Sequence, residues 1–335
     1  MNEKRLDAEA YDRIAIVGAG AWGTALALVA AEAGRQVTLW AREPDVAESI
    51  TGQGENLRYL SGIALPGGVR ATTNLDDTAE SDALFLAVPA QHLRETLGRL
   101  RPPALAKPIV VCAKGIEKAT GKLLTEVLEE SGAIMPAMLS GPSFAREVAG
   151  RLPTAVTIAA EGRLAQRLQA TMAHPSFRPY ASDDLVGVAL GGAAKNVYAI
   201  ACGAVAGMGL GENARAALLA RSFAELRRLA LAMGAKDETL MGLSGLGDLV
   251  LTATSPTSRN YAVGYALGLG SSVSDLAQPG RPLAEGVETA PAIVSRARRL
   301  GVELPIAESV ADILAGKLPL AAALPRLMLR PYKNE

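Results

Sequence analysis

The segment Gly18-Ala19-Gly20-Ala21-Trp22-Gly23 restricts the fold of this chain more than any other. It follows a short apolar run, Arg13–Val17, that reads as a buried strand. It opens an apolar helical stretch over residues 21–33, which Gly34 would cap. Each glycine has its own duty in such a turn. The first permits the tight bend, the second lets the backbone approach a pyrophosphate, and the third lets helix and strand pack closely. The new helix then offers free N–H groups to phosphate oxygens. A second strand at Gln36–Trp40 completes the unit. The pattern reads as a dinucleotide-binding turn, against the plainer reading of an empty turn of the same shape.

Strand and helix patterns alternate through the first half. Further strands are expected at 69–73, 83–88, 108–113, 137–140 and 155–159, with a helix at 90–100 among the intervening segments. After about residue 183 the apolar period becomes helical: 185–206, 213–233, 260–269, 285–300, 306–315 and Leu320–Met328. The expected fold is α/β, with an N-terminal doubly wound Rossmann-type parallel sheet followed by an all-helical C-terminal domain. Boundaries at 11–182 for the dinucleotide-binding domain and 183–335 for the helical substrate and catalytic domain suit a chain of 335 residues. Aromatics are only 4% while Gly and Ala abound, so the helices should meet through small residues.

Composition narrows the function. Lys+Arg and Asp+Glu are both 34, so no global field draws the chain to nucleic acid or an anionic membrane. An anionic substrate would need a local cationic pocket. Cys112 and Cys202 lie far apart in apolar runs, and only His92 and His174 could join them in a metal cluster, so neither a disulfide framework nor a metal site is expected. The charged N-terminus has no apolar signal region, and the expected compartment is the reducing cytoplasm. Residues 185–210 are long and apolar enough to raise the question of a membrane span. Lys195 and Asn196 in their middle favour a buried helix instead.

The second strand runs into Leu39-Trp40-Ala41-Arg42-Glu43. A site for NAD usually places a carboxylate at the strand end, to accept from the ribose hydroxyl. No acid stands there, and the Arg42 guanidinium suits a 2′-phosphate. The reading is therefore NADP(H) preferred, with NAD(H) possible. The alternative leaves Arg42 as a solvated charge and gives Glu43 the ribose.

Lys195 sits in Gly191-Gly192-Ala193-Ala194-Lys195-Asn196, within the most apolar helix of the chain. A lysine buried there is costly unless paired, and burial would lower its pKa towards the range of acid–base chemistry. The bland alternative is a lysine that snorkels to the helix edge. Asn196 could bond a substrate hydroxyl or cap a neighbouring segment. Gly245-Leu246-Gly247-Asp248 supplies a carboxylate on what reads as a glycine-rich turn, by itself often an Asx turn. Ser258-Arg259-Asn260 reads as a helix start, with Ser258 as N-cap and Arg259 beside free N–H groups; that makes an anion site or only a helix start. Lys114-Gly115 and Gly141-Pro142-Ser143 follow strand ends, where ligands of such folds lie.

Together with Thr24-Ala25 and Ala87-Val88-Pro89, these motifs resemble the bacterial NAD(P)-dependent sn-glycerol-3-phosphate dehydrogenases from about Arg13 onwards. The resemblance implies that Gly18, Gly20, Trp22, Gly23 and Arg42 hold the cofactor, with Ala145, Leu283 and Glu285 closing over it. It implies that Lys114 touches cofactor and substrate. Gly141, Ser143, Lys195, Asp248, Ser258, Arg259 and Asn260 would line the substrate pocket, and Arg259 would also reach the cofactor. The implied reaction is the reversible reduction of dihydroxyacetone phosphate to sn-glycerol 3-phosphate, the starting point of bacterial glycerophospholipid synthesis. Lys195 would be the general acid and base, and a homodimer is implied. The residues before Arg13 and His92 fall outside the resemblance and receive no role.

Overall fold

The computed structural model describes residues 9–276 and 284–329. The chain forms two compact units. One holds the chain up to Lys114 together with residues 123–189, and the other holds 115–122 and the chain from Leu190 onward.

The first unit is built on an eight-stranded sheet ordered β3-β2-β1-β4-β5-β6-β7-β8. The strands are β1 Arg13–Val17, β2 Gln36–Trp40, β3 Val69–Thr72, β4 Ala83–Leu86, β5 Pro108–Val111, β6 Met135–Ser140, β7 Thr154–Ala160 and β8 Phe177–Ser182. β1 to β6 are parallel to one another, β7 pairs antiparallel with β6, and β8 runs parallel to β7. Every residue of β4 and β5 is buried, as expected of central parallel strands covered on both faces. The Ala21–Glu32 helix runs from the glycine turn and ends where Gly34 adopts φ +85°, the left-handed cap read from the sequence.

β8 has no counterpart in the sequence reading. Its segment FRPYAS buries only Phe177 and Pro179, and carries a proline mid-strand. Proline is tolerated there because β8 is a sheet edge. The expected helix at 90–100 begins as a 3₁₀ turn, Ala90–His92, and continues as Leu93–Arg99.

The second unit is helical. Its spine is the Leu185–Gly207 helix, which begins in the first unit and continues into the second. It is long and apolar enough to cross a membrane, but 83% of its most apolar window is buried within the protein. It meets the Arg259–Gly268 helix backbone to backbone. A Cβ on Gly203 would lie 2.1 Å from the Tyr261 carbonyl oxygen, and one on Gly264 would lie 1.9 Å from that of Ile200. These are the small-residue contacts that a chain poor in aromatics requires. The remaining long helices are Gly211–Ala232, Glu285–Arg299, Pro305–Leu314 and Leu320–Met328.

The stretch around Gly245, read as a turn, is instead helical. Residues Leu243–Gly247 form a π-helical turn, with Gly247 N–H bonded to Gly242 O at 3.0 Å, and the Asp248–Thr254 helix follows directly. The glycine is needed for packing: a Cβ on Gly245 would fall 2.0 Å from the Leu240 carbonyl oxygen. Glycine spacing alone does not distinguish the two backbones.

Candidate active site

In the first unit, β1, β2, β4, β5 and β6 are parallel, so the segments after them leave the same sheet edge. Gly18 has φ +111°, and its N–H donates to Trp40 O at 3.0 Å. A Cβ on Gly23 would lie 1.8 Å from Gly18 O, so only glycine allows the helix to sit this close to the strand end. A Cβ on Gly20 would meet nothing within 4 Å, so the turn is open on that side. Gly20 is the N-cap and supplies no side-chain acceptor. The first-turn N–H groups thus keep their anion-binding capacity. Trp22 Nε1 is buried without a hydrogen-bond partner among the described residues. An open turn, a bare helix N-terminus and an orphan donor all fit a pyrophosphate-bearing dinucleotide.

Arg42 and Glu43 are a single unit. Arg42 Nε and Nη2 both donate to Glu43 Oε1, at 3.1 and 2.7 Å, and the Arg42 side chain is 68% exposed. Neither residue therefore acts independently of the other at the end of β2.

Lys114, three residues beyond β5, donates from Nζ to Gly141 O at 2.7 Å. Ser143 Oγ donates to the same oxygen at 3.0 Å. Gly141 has φ +143°, and a Cβ there would lie 2.9 Å from Val156 Cα, so the bend after β6 demands glycine. The structure thus gathers Lys114, Gly141 and Ser143 around one carbonyl. Ala145 opens the short Ala145–Ala149 helix.

In the second unit Lys195 is buried, at 6% exposure, and Asp248 is fully buried. Lys195 Nζ pairs with Asp248 Oδ1 and donates to Thr252 Oγ1 at 2.8 Å. The lysine does not snorkel. Asp248 and Thr252 are four residues apart on one helix, so both face the ammonium. The sequence does not single out Thr252, because the Gly245–Asp248 stretch reads as a turn and a turn has no face shared with residue 252. A helix beginning at Asp248 would have pointed to the hydroxyl one turn on.

Asn196 accepts from Asn260 Nδ2 at 2.9 Å, and Asn260 Oδ1 accepts from Gly286 N–H at 2.9 Å. These bonds connect the Leu185–Gly207 helix, the Arg259–Gly268 helix and the start of the Glu285–Arg299 helix. Ser258 is the N-cap read from the sequence, its hydroxyl accepting from Tyr261 N–H at 3.2 Å. Arg259 follows it with an exposed side chain that forms no ion pair with any described residue. Glu285 is the first residue of its helix. Leu283, the remaining cofactor candidate, lies outside the described residues.

A parallel sheet with this glycine turn, followed by a helical unit carrying a buried, ion-paired lysine, defines a Rossmann-type dehydrogenase architecture. The family model described as NAD-dependent glycerol-3-phosphate dehydrogenase N-terminus matches residues 13–165, and the one described as its C-terminus matches 184–325. The glycerol-3-phosphate dehydrogenase [NAD(P)+] of Parvibaculum lavamentivorans is 54% identical over 97% of this chain and 99% of its own. The crystal structure of glycerol-3-phosphate dehydrogenase from Coxiella burnetii superposes with a TM-score of 0.90 at 39% identity, over 95% of this chain and 99% of that one. A ketopantoate reductase of Ralstonia eutropha, at 18% identity and a TM-score of 0.57, shares the fold alone. The chain belongs to the NAD-dependent glycerol-3-phosphate dehydrogenase family.

Proposed function

We propose that Lys195 is the proton donor and acceptor of a reversible carbonyl reduction, with Asp248 and Thr252 holding its ammonium. The chain is an NAD(P)-dependent glycerol-3-phosphate dehydrogenase, interconverting dihydroxyacetone phosphate and sn-glycerol 3-phosphate. The observation that carries the lysine assignment is its burial together with its two partners. A buried charge is costly, and anchoring by a carboxylate and a hydroxyl keeps one aimed proton donor in a water-poor setting.

When bound, the reduced nicotinamide supplies the hydride to the carbonyl carbon. Gly18, Gly20 and Gly23 with the Ala21–Glu32 helix N-terminus would hold its pyrophosphate. Negative charge grows on the carbonyl oxygen as the hydride arrives. Lys195 opposes that charge and transfers a proton from Nζ. In the reverse direction its neutral amine accepts the hydroxyl proton. Asp248 stabilises the ammonium before the transfer, and again when Nζ is reprotonated from water. Arg259, exposed at the first position of a ten-residue helix, would grip the substrate phosphate beside the free N–H groups. Lys114, Gly141, Ser143, Ser258 and Asn260 complete the substrate set, and Trp22, Ala145, Leu283 and Glu285, with Lys114 and Arg259 shared, complete the cofactor set. The exposed Arg42 guanidinium supports a preference for NADPH over NADH. A homodimer is the state that the family resemblance implies, and light scattering checks it. Two buried free thiols support residence in the reducing cytoplasm.

Initial rates with dihydroxyacetone phosphate and each reduced nicotinamide test the reading. Lys195→Ala should lower kcat by about 10²–10⁴-fold while NADPH still binds. Unchanged turnover removes Lys195 from the mechanism, and reduction of a branched keto acid in place of the triose phosphate overturns the substrate.

A further inference from the structure

The chain passes from the first unit to the second at Lys114–Gly115 and returns at Lys122–Leu123. Between these points it forms a tight turn. Gly121 N–H donates to Glu117 O at 2.8 Å, Glu117 N–H to Lys122 O at 2.9 Å, and Thr120 Oγ1 to Glu117 Oε2 at 2.6 Å. The turn lies along one stripe of the Glu285–Arg299 helix. Lys118 pairs with Glu288 at 2.6 Å. A Cβ on Gly121 would come within 3.9 Å of Ala292 O and 2.6 Å of Arg299 Nη2. Arg296 Nη1 donates to Gly121 O at 3.1 Å, and Arg299 Nη2 reaches Thr120 O at 3.5 Å. Positions 288, 292, 296 and 299 share one helix face by their spacing.

The same helix begins at the Gly286–Asn260–Asn196 hydrogen-bond chain, which ends one residue from Lys195. One helix therefore anchors the neighbourhood of the proton donor and also the turn that starts one residue after Lys114. We propose that Arg296 is a positioning residue for the reaction: by holding the Gly121 carbonyl it fixes the 115–122 turn and, through the chain, the placement of Lys114. This rests on the reading above that Lys114 touches the substrate. In the chain Lys114 stands between β5 and this turn. Its ammonium already lies 2.7 Å from Gly141 O, so a small backbone shift would re-aim it. A charge-assisted bond from a guanidinium to a turn carbonyl is strong enough to resist such a shift.

A double-mutant cycle tests it. Arg296→Ala should lower kcat/KM for dihydroxyacetone phosphate by about 10-fold through misplacement, and Arg296→Lys, which keeps a donor, should recover most of it. In a Lys114→Ala background, Arg296→Ala should add less than about a 2-fold loss, because its route to the substrate is already gone. Lys118→Ala, at an exposed position, should repeat the effect in smaller form and keeps the test open if Arg296→Ala does not fold. An equal loss in both backgrounds would overturn the positioning role while leaving Lys114 in the site. Unchanged kinetics in Lys114→Ala would remove Lys114 from the site, and the proposal with it.

Discussion

The glycine turn of the first unit and the lysine cluster of the second are made of different materials. The turn is almost entirely backbone: glycine carbonyls, free N–H groups and the space a missing Cβ leaves at Gly20. The cluster is almost entirely side chain and buried: Lys195 with Asp248 and Thr252, and beside them Asn196 with Asn260. A backbone site is specified by residues adjacent in sequence, whereas a side-chain site draws on helices far apart in the chain. The two should therefore fail differently, the first through loss of binding and the second through loss of chemistry or folding.

The largest effect should come from the side-chain site. Asp248→Ala strands a buried ammonium, and breaking a buried pair costs about 3–5 kcal/mol, so both melting temperature and kcat should fall steeply. Thr252→Val should lose less, since Asp248 still pairs with Lys195; about 10-fold in kcat with unchanged NADPH binding is expected from one lost hydrogen bond. Titration of NADPH fluorescence alongside steady-state rates separates the two readouts. If Thr252→Val changes cofactor affinity but not kcat, the hydroxyl does not serve the lysine.

Next comes the backbone site. Gly23→Ala places a Cβ onto the Gly18 carbonyl, so the turn must open. Cofactor affinity should drop by about 10-fold or more, with kcat at saturating cofactor largely kept. A kcat loss at unchanged cofactor affinity would erase the distinction between the two sites.

The second unit also holds a buried carboxylate with backbone partners, Glu225. Like Asp248 it is a buried carboxylate, but its hydrogen-bond donors are the Ile306 and Ala307 N–H groups, at 2.7 and 3.2 Å. Burial outweighs those two bonds and the nearby Arg228, and pushes its pKa up to about 7. The folded protein thus holds a proton that the unfolded chain releases near the ordinary carboxylate value. The stabilisation is complete at low pH and is lost as pH rises through about 7. Glu225→Gln should flatten the fall in melting temperature between about pH 4.5 and 7. An unaltered slope would assign that fall to other groups.

The smallest effect should be at Arg42, which is exposed and, among the described residues, paired only to its neighbour. Arg42→Ala should reduce the preference for NADPH over NADH by a few-fold to about 10-fold, the range for one charge-assisted contact. Equal preference before and after the change would return Arg42 to the solvent and leave Glu43 to read the ribose.

Legibility in the sequence followed the same divide. The glycine turn, β1, β2 and the Ser258 cap stand where local pattern placed them, because each is specified by adjacent residues. β8 escaped because an edge strand buries only alternate residues and tolerates Pro179. The π-helical turn before Asp248 escaped because glycine spacing also suits a turn. Thr252 escaped with it.

Local residue pattern was enough to place a dinucleotide turn after the first strand and a lysine in the most apolar helix. It left open whether that lysine was paired or snorkelling. Folding settles it by bringing Asp248 and Thr252 from 53 and 57 residues away to Nζ. The physical reason is that a buried charge is tolerated only through partners, and nothing local in the sequence brings these two to the lysine.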